Sequence, residues 1–349
     1  MSPQNSSTAT PLQLLGMTNG LIINQALYAA AKLGVADLLK DGAQTCSDLA
    51  RKMNVNESAL YRILRLLASQ NVFEEKFPRG FANTELSHFL CTDVPGSVRS
   101  ILIFRGSEFI FGPCGEILYS IKTGLAARAK IYGMEAFDYL KTYPETAGIF
   151  DDAMTSMSAL VSPAIASAYD FGRWVSLMDV GGGNGILLAA ILKAHAGLRG
   201  VLADLPHTLE RATDRGFLGG ELASRSTMQP CDFFREVPSG CRAYVMKHVI
   251  HDWDNERAQN ILANCRRAVP EDGALLLVEW ALPEGNAPSA GKFADVMMML
   301  MTGGKERTVE EYRHLLGQAG FRLNQVISTS SDLNIIEALP ASPAEAFPG

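Results

Sequence analysis

The chain has 349 residues, of which 47% are hydrophobic, and a formal net charge of −6. That is enough apolar content for a large core and more than one domain. The acidic balance excludes a dedicated nucleic-acid or membrane-surface binder, whose footprint is basic. No apolar run reaches the roughly 18 residues of a membrane span, so no transmembrane helix is expected. Met1 to Leu15 is polar and lacks a basic segment followed by an apolar one, so no secretory signal is expected either. Cys46, Cys91, Cys114, Cys231, Cys241 and Cys265 are scattered without a C-x-x-C pair. In a chain this long that reads as thiols in a reducing, cytoplasmic setting.

Taken in order, residues 1–11 and 340–349 are rich in Ser, Thr, Pro and Ala and are expected to be loose. From Asn19 to Leu39, the residues Leu21, Ile22, Ala26, Leu27, Ala30 and Leu33 recur at helical spacing. Thr45-Cys46-Ser47-Asp48 opens a short capped helix. Asn56-Glu57-Ser58 leads into another, with Leu60, Ile63, Leu64 and Leu67 on one face. Val72 to Glu75 and Phe81-Ala82, separated by Pro78-Arg79-Gly80, read as a hairpin. Helix, helix, hairpin is a winged-helix arrangement, expected over 1–100. Clustered Lys and Arg for phosphate contacts are missing, so its role is dimerisation and not DNA binding.

Residues 101–165 read as a helical linker rich in Phe and Met, with Phe111, Phe150, Met154 and Met157 as candidate pocket walls. From Trp174 the period changes. Val175–Val180, Gly200–Asp204, Ala243–Lys247 and Ala274–Glu279 are short apolar strands, with helices Ile186–Ala196 and Asn255–Val269 among them. Strands alternating with helices predict an α/β domain over 166–340, a doubly wound and mostly parallel sheet, with 341–349 as a tail. The first strand runs into Gly181-Gly182-Gly183-Asn184-Gly185. Glycines at the carboxyl end of such a strand let a ligand approach the backbone. A dinucleotide fingerprint does not fit. Counted from Gly181 the third glycine position is Ile186, and counted from Gly183 it is Leu188.

The C-terminal half resembles the caffeate/hydroxyindole family of small-molecule O-methyltransferases, which are class I, Rossmann-like enzymes dependent on S-adenosylmethionine. The matching pieces, in the family's order, are Asp179-Val180-Gly181-Gly182-Gly183-Asn184-Gly185, Asp204-Leu205-Pro206-His207 and Cys231-Asp232-Phe233-Phe234. They continue with Met246-Lys247-His248-Val249-Ile250-His251-Asp252-Trp253, Glu279, and Gly303-Gly304-Lys305-Glu306-Arg307-Thr308. Weaker matches, Ala82 to Ser87 and Gly133 to Phe137, extend it over nearly the whole chain.

The resemblance implies that Asp179, Gly181, Gly183 and Gly185 hold the methionine part of the cofactor. It gives Asp204 and Leu205 to the ribose, and Asp232 and Phe233 to the adenine. Lys247 and Ser158 also fall at cofactor positions. His251 becomes the general base, Glu279 and Glu306 flank and hold its ring, and Asp252 is an orienting neighbour. The acceptor pocket would be apolar: Phe111, Ala136, Leu140, Phe150, Met154, Met157, Trp253, Met297 and Met298. The family implies a homodimer and no metal.

The chemistry agrees with that reading. Methylating a phenol requires its proton to be removed near neutral pH, and a histidine with a carboxylate partner suits the task. His248 and His251 with Asp252 offer a rival, a metal set, but such sites need a further ligand and an oriented surround. Three other readings stay open. One is N- or C-methylation on the same scaffold, another is a reaction other than methyl transfer, and the third is a winged-helix regulator that senses a small molecule.

Overall fold

The structure is a computed structural model that describes residues 10–341. Residues 1–9 and 342–349, most of the two expected loose ends, lie outside the described residues. By internal contact density the chain forms two compact units. One runs through Phe111 and takes in Pro144–Met157; the other comprises Gly112–Tyr143 and everything from Ser158 onward. The stretch 101–165 is thus shared between the units and does not form a linker of its own.

In the first unit, helix Gly20–Leu33 ends where Gly34 adopts φ 68°. The helical stretch expected through Leu39 is therefore two helices, the second only Val35–Leu38. A left-handed residue closes a helix at little cost only when it lacks a Cβ. Thr45 caps helix Cys46–Met53 by accepting the Asp48 N–H at 3.0 Å, and Asn56 caps Glu57–Ser69 by accepting that of Ala59 at 2.9 Å. Leu60, Leu64 and Leu67 bury one face of the latter helix. Strands Phe73–Phe77 and Gly80–Asn83 pair antiparallel. The turn is Pro78-Arg79, with Arg79 at φ 59°, and Gly80 already belongs to the second strand. Gln44–Thr45 adds a third strand against Gly80 and Phe81, so the wing has three strands.

The second unit is built on seven strands: β1 (Ser176–Val180), β2 (Arg199–Asp204), β3 (Ser226–Pro230), β4 (Ala243–Lys247), β5 (Ala274–Glu279), β6 (Phe321–Ser328) and β7 (Asn334–Pro340). Their order across the sheet is β6-β7-β5-β4-β1-β2-β3, and only β7 runs against the rest. Alternation along the strands feeds two cores. Met178, Tyr244, Met246, Leu275 and Leu277 join one, while Leu177, Ala243, Val245, Leu276 and Val278 join the other. All six residues of β5 are buried. This is the signature of a strand covered on both faces. The doubly wound expectation therefore holds. The strand order reverses at β1, so the carboxyl ends of β1, β2 and β4 open on the crevice where such sheets bind ligands.

Candidate functional site

The glycine turn after β1 lies in that crevice. Gly181, Gly183 and Gly185 take φ values of 70°, 58° and 79°, a region other side chains rarely enter. A Cβ on Gly183 would meet nothing within 4 Å, so the turn leaves open space on that side. Asp204, at the end of β2, faces the turn. Its Oδ2 accepts the Gly183 N–H at 2.9 Å and its Oδ1 the Leu205 N–H at 2.7 Å. The Thr208 side chain also bonds to this carboxylate, whose two oxygens have lone pairs for about four such bonds in all. Burial raises the Asp204 pKa, and the two backbone N–H groups oppose the rise.

Beneath the turn, Asp179 is 1% exposed and its Oδ2 has no hydrogen-bond partner. Burial pushes its carboxyl up to about 7 against the pull of Lys247. Lys247 is itself held below its ordinary value by burial, opposed by Asp179 and Glu279. Phe233, half-buried, lies against Gly181, while exposed Asp232 accepts the Phe234 N–H at 3.1 Å. Ser158 sits half-buried on helix Pro144–Ala168.

His251 lies in a one-turn helix, Ile250–Asp252, just beyond β4. The residue is 7% exposed. Nδ1 meets Glu306 Oε1 at 2.6 Å, leaving Nε2 as the unbonded ring nitrogen. Glu279 Oε2 stands 3.9 Å from Nδ1, and Asp252 Oδ1 3.7 Å from Nε2. The two glutamates therefore differ in what they do. Glu306 grips the ring. Glu279, fully buried at the end of β5, spends Oε1 on the N–H groups of Val249 and Ile250 at 3.1 and 3.0 Å, and so holds the turn. Burial works to lower the His251 pKa, but the charges of Glu279, Asp252 and Glu306 outweigh it and hold the ring at about 10. Burial raises the Asp252 carboxyl to about 6.

Three residues for which sequence reasoning found no supporting role, His248 having been weighed only as a metal ligand, complete the turn. Arg307, fully buried, donates from Nη1 to the Ile250 carbonyl at 3.1 Å and from Nη2 to that of Trp253 at 2.9 Å. Gly304 packs so closely that a Cβ would stand 2.1 Å from the His251 carbonyl oxygen. His248, at φ 53°, lays its ring on that of His251, centroids 4.9 Å apart and planes 14° off parallel. That stacking also decides the metal rival. Parallel rings point their in-plane lone pairs past one another, so His248 and His251 do not converge on one ion. The donor atoms of His251, Glu279 and Glu306 do lie within 4.8 Å of one another, but the 2.6 Å contact between two of them is a hydrogen-bond distance. The glycine pair before Glu306 and the His248–His251 spacing are the local signals in this set; neither tells which contact the residue makes.

The apolar pocket candidates divide between the units. Phe111, Phe150, Met154 and Met157 belong to the first unit, where Phe150 stands near Phe104 at 5.6 Å, ring to ring. Ala136, Leu140, Trp253, Met297 and Met298 belong to the second. There Trp253 stacks on Phe137 at 5.5 Å and meets Phe234 edge-on at 4.7 Å, with its Nε1 buried and unpartnered. Met297 and Met298 are half-buried on helix Ala290–Met301, whose Asp295 accepts the Glu306 N–H at 2.9 Å.

Residues 120–322 match the model of the O-methyltransferase domain, and residues 15–93 match that of the O-methyltransferase dimerisation domain. A phenazine O-methyltransferase of Lysobacter antibioticus is 39% identical, over 97% of this chain and all of that protein. A phenazine-1-carboxylate N-methyltransferase of Pseudomonas aeruginosa is 32% identical, over 97% of this chain and 99% of that protein. Among solved structures, an O-methyltransferase from neocarzinostatin biosynthesis, in complex with S-adenosylmethionine and 2-hydroxy-5-methyl naphthoic acid, is 29% identical with a TM-score of 0.80. That match covers 96% of this chain and all of the other. With the glycine turn, the acid ending β2 and these matches along its length, the chain belongs to this O-methyltransferase family of S-adenosylmethionine-dependent small-molecule methyltransferases.

Proposed function

We propose that this methyltransferase acts on a hydroxyl of a small aromatic acceptor, with His251 as the base. The observation that carries the reading is the geometry of one ring. Glu306 at 2.6 Å fixes the His251 Nδ1 edge and leaves Nε2 unbonded. A hydroxyl must shed a proton as its oxygen attacks, and Nε2 can take it. Against the effect of burial, the charges of Glu279, Asp252 and Glu306 raise the ring's pKa above its ordinary value, which makes it the stronger proton acceptor. Once protonated, the ring is also the counter-ion of the oxyanion. A tertiary ring nitrogen attacks with its lone pair and has no proton to lose. The His-carboxylate set therefore favours an O–H acceptor, although the Pseudomonas relative is named for N-methylation.

The residues of the turn fit the cofactor. Open space over Gly183, the carboxylate of Asp204 facing the turn and the unpartnered, buried Asp179 Oδ2 beneath it fit such a ligand. In this reading Asp179, Gly181, Gly183 and Gly185 hold the methionine part, and Asp204 and Leu205 the ribose. Asp232 and Phe233 face the adenine, with Lys247 and Ser158 at the edges. Bound S-adenosylmethionine supplies an activated methyl group, so the protein's share is alignment, proton removal and exclusion of water. Asp204→Ala is expected to weaken S-adenosylhomocysteine by about 1.5–3 kcal/mol, the range for hydrogen bonds to a charged group. Isothermal titration measures it, and unchanged affinity would remove the ribose assignment.

The test of the reaction class is a panel of matched phenols, arylamines and ring-nitrogen heterocycles, scored by mass spectrometry for the methylated atom. Methyl appearing only on nitrogen would overturn the O-methylation reading. The dimerisation-domain match and the exposed row Leu12, Leu14, Leu15, Met17, Leu21 and Ile22 support a homodimer. Light scattering is expected to give twice the chain mass at micromolar concentration, and a monomer there would end that reading.

A further inference from the structure

We propose that His248 is a positioning residue that fixes the plane of the His251 ring for proton transfer. The inference rests on His251 as the base and adds what keeps the base in register. A single hydrogen bond from Nδ1 to Glu306 anchors one edge of the imidazole but leaves the ring free to rock about that bond. The 3.9 and 3.7 Å separations from Glu279 and Asp252 are too long to stop it. A face contact is needed, and His248 makes it, 14° from parallel at 4.9 Å. His248 is backed in turn by Trp280, at 4.8 Å and 21°.

Two further observations set this contact apart from ordinary packing. The first is the backbone. His248 reaches its place only by adopting φ 53° directly after β4, a conformation that costs of order 1–3 kcal/mol and persists where the surroundings require it. The His248 N–H bonded to the Val278 carbonyl at 3.2 Å holds that kink to the neighbouring strand. The second is the ring's own polarity. Its Nε2 is buried with no hydrogen-bond partner, so that nitrogen makes no polar bond that would hold the ring in place. Burial, then Lys247, then His251 push its pKa well below the ordinary value, so it stays neutral. A neutral aromatic face can lie against an imidazolium as a cation lies on a π-system, which lets His251 carry its proton without losing the stack.

The test uses three variants of the full chain with saturating S-adenosylmethionine and a phenol substrate, and His251→Ala as reference. His248→Asn tolerates a left-handed backbone and removes the ring. It is expected to lower kcat by about 10- to 100-fold, the scale of a misaligned reacting group, with KM for the phenol and affinity for S-adenosylhomocysteine within threefold. His248→Phe keeps a flat ring and is expected to stay within about fivefold of wild type. His248→Ala is expected to follow Asn. An independent readout is the NMR order parameter of the His251 Cε1–H bond, expected to fall in Asn and hold in Phe. Wild-type kcat in His248→Asn would overturn the proposal. So would a His248→Phe protein as slow as Ala when its melting temperature and cofactor affinity are intact, since a hydrogen bond and not the stack would then matter. If His251→Ala itself is fully active, it is the base assignment that fails, and the order parameter still tells whether the stack holds the ring.

Discussion

His251→Ala is expected to lower kcat for a phenol by roughly 10²–10⁴ at neutral pH, the usual worth of a positioned general base, while leaving affinity for S-adenosylhomocysteine nearly unchanged. The proposed cofactor contacts run through the glycine turn, Asp204 and Phe233, and none of them includes the imidazole. At saturating acceptor the deficit should shrink as pH rises, because a bound phenol that ionises on its own no longer needs the ring. Nitro-substituted phenols, already ionised near neutrality, should shrink it at pH 7. For the wild type the sign follows from the raised pKa. The carboxylates raise the ring's pKa above that of an ordinary histidine, so kcat/KM is expected to rise with pH and to level off at a higher pH than an unassisted imidazole would give. Glu306→Gln should cost more than Glu279→Gln in kcat, since only Glu306 lies within hydrogen-bond reach of the ring. If His251→Ala methylates a phenol at the wild-type rate at neutral pH, the mechanism is wrong. If activity is lost and neither pH nor acidic phenols restore it, His251 orients the acceptor and another group takes the proton.

Gly304→Ala is expected to be the most damaging single-methyl change near the site. The added carbon would stand 2.1 Å from the His251 carbonyl oxygen, and 2.4 and 2.7 Å from the Asp252 carbonyl carbon and oxygen. All three are backbone atoms, and Arg307 pins the same turn through Ile250 and Trp253, so relief requires the base or Glu306 to move. Overpacking of this kind costs about 1–3 kcal/mol and sometimes more. A shift of about 1 Å in a reacting group can remove about two orders of magnitude in rate. A lowered melting temperature with kcat down at least about 100-fold is the expected pair of readings. A folded variant with wild-type kcat would show that the two loops separate freely.

The parts of this architecture that could be read in the chain are those that depend on neighbours in sequence. Apolar runs such as Leu275–Val278 mark strands buried on both faces, and Thr45 and Asn56 announce their helices through local capping bonds. The glycine turn carries its own signature. Edge strands were harder. Ser226–Pro230 is polar and largely exposed, so it shows no apolar pattern, and Phe321–Ser328 interrupts its alternation with an irregularity between Leu323 and Gln325. His251, the proposed base, stands in a recognisable motif, but the contacts that hold it were not legible. Nothing near Arg307 tells that its guanidinium will meet the Ile250 carbonyl 57 positions away, and nothing near His248 foretells which ring it will face. Nor did the pairing of two glutamates with one histidine reveal that only Glu306 would take hold of it.

The turn that carries His251 owes little to its own stretch of chain. Its N–H groups are satisfied from 29 and 30 residues downstream, its ring from 55 and one of its carbonyls from 57. Closing loops of that size costs entropy that only the completed sheet repays. The placement of His251 is therefore an emergent property of the closed domain: no excised peptide around it would hold the imidazole in place. Slippage between β4 and β5 would also undo catalysis while leaving most helices formed. Evolution can accordingly reshape the pocket walls at low risk to the turn, and has far less latitude in the register of the two strands that end at Lys247 and Glu279.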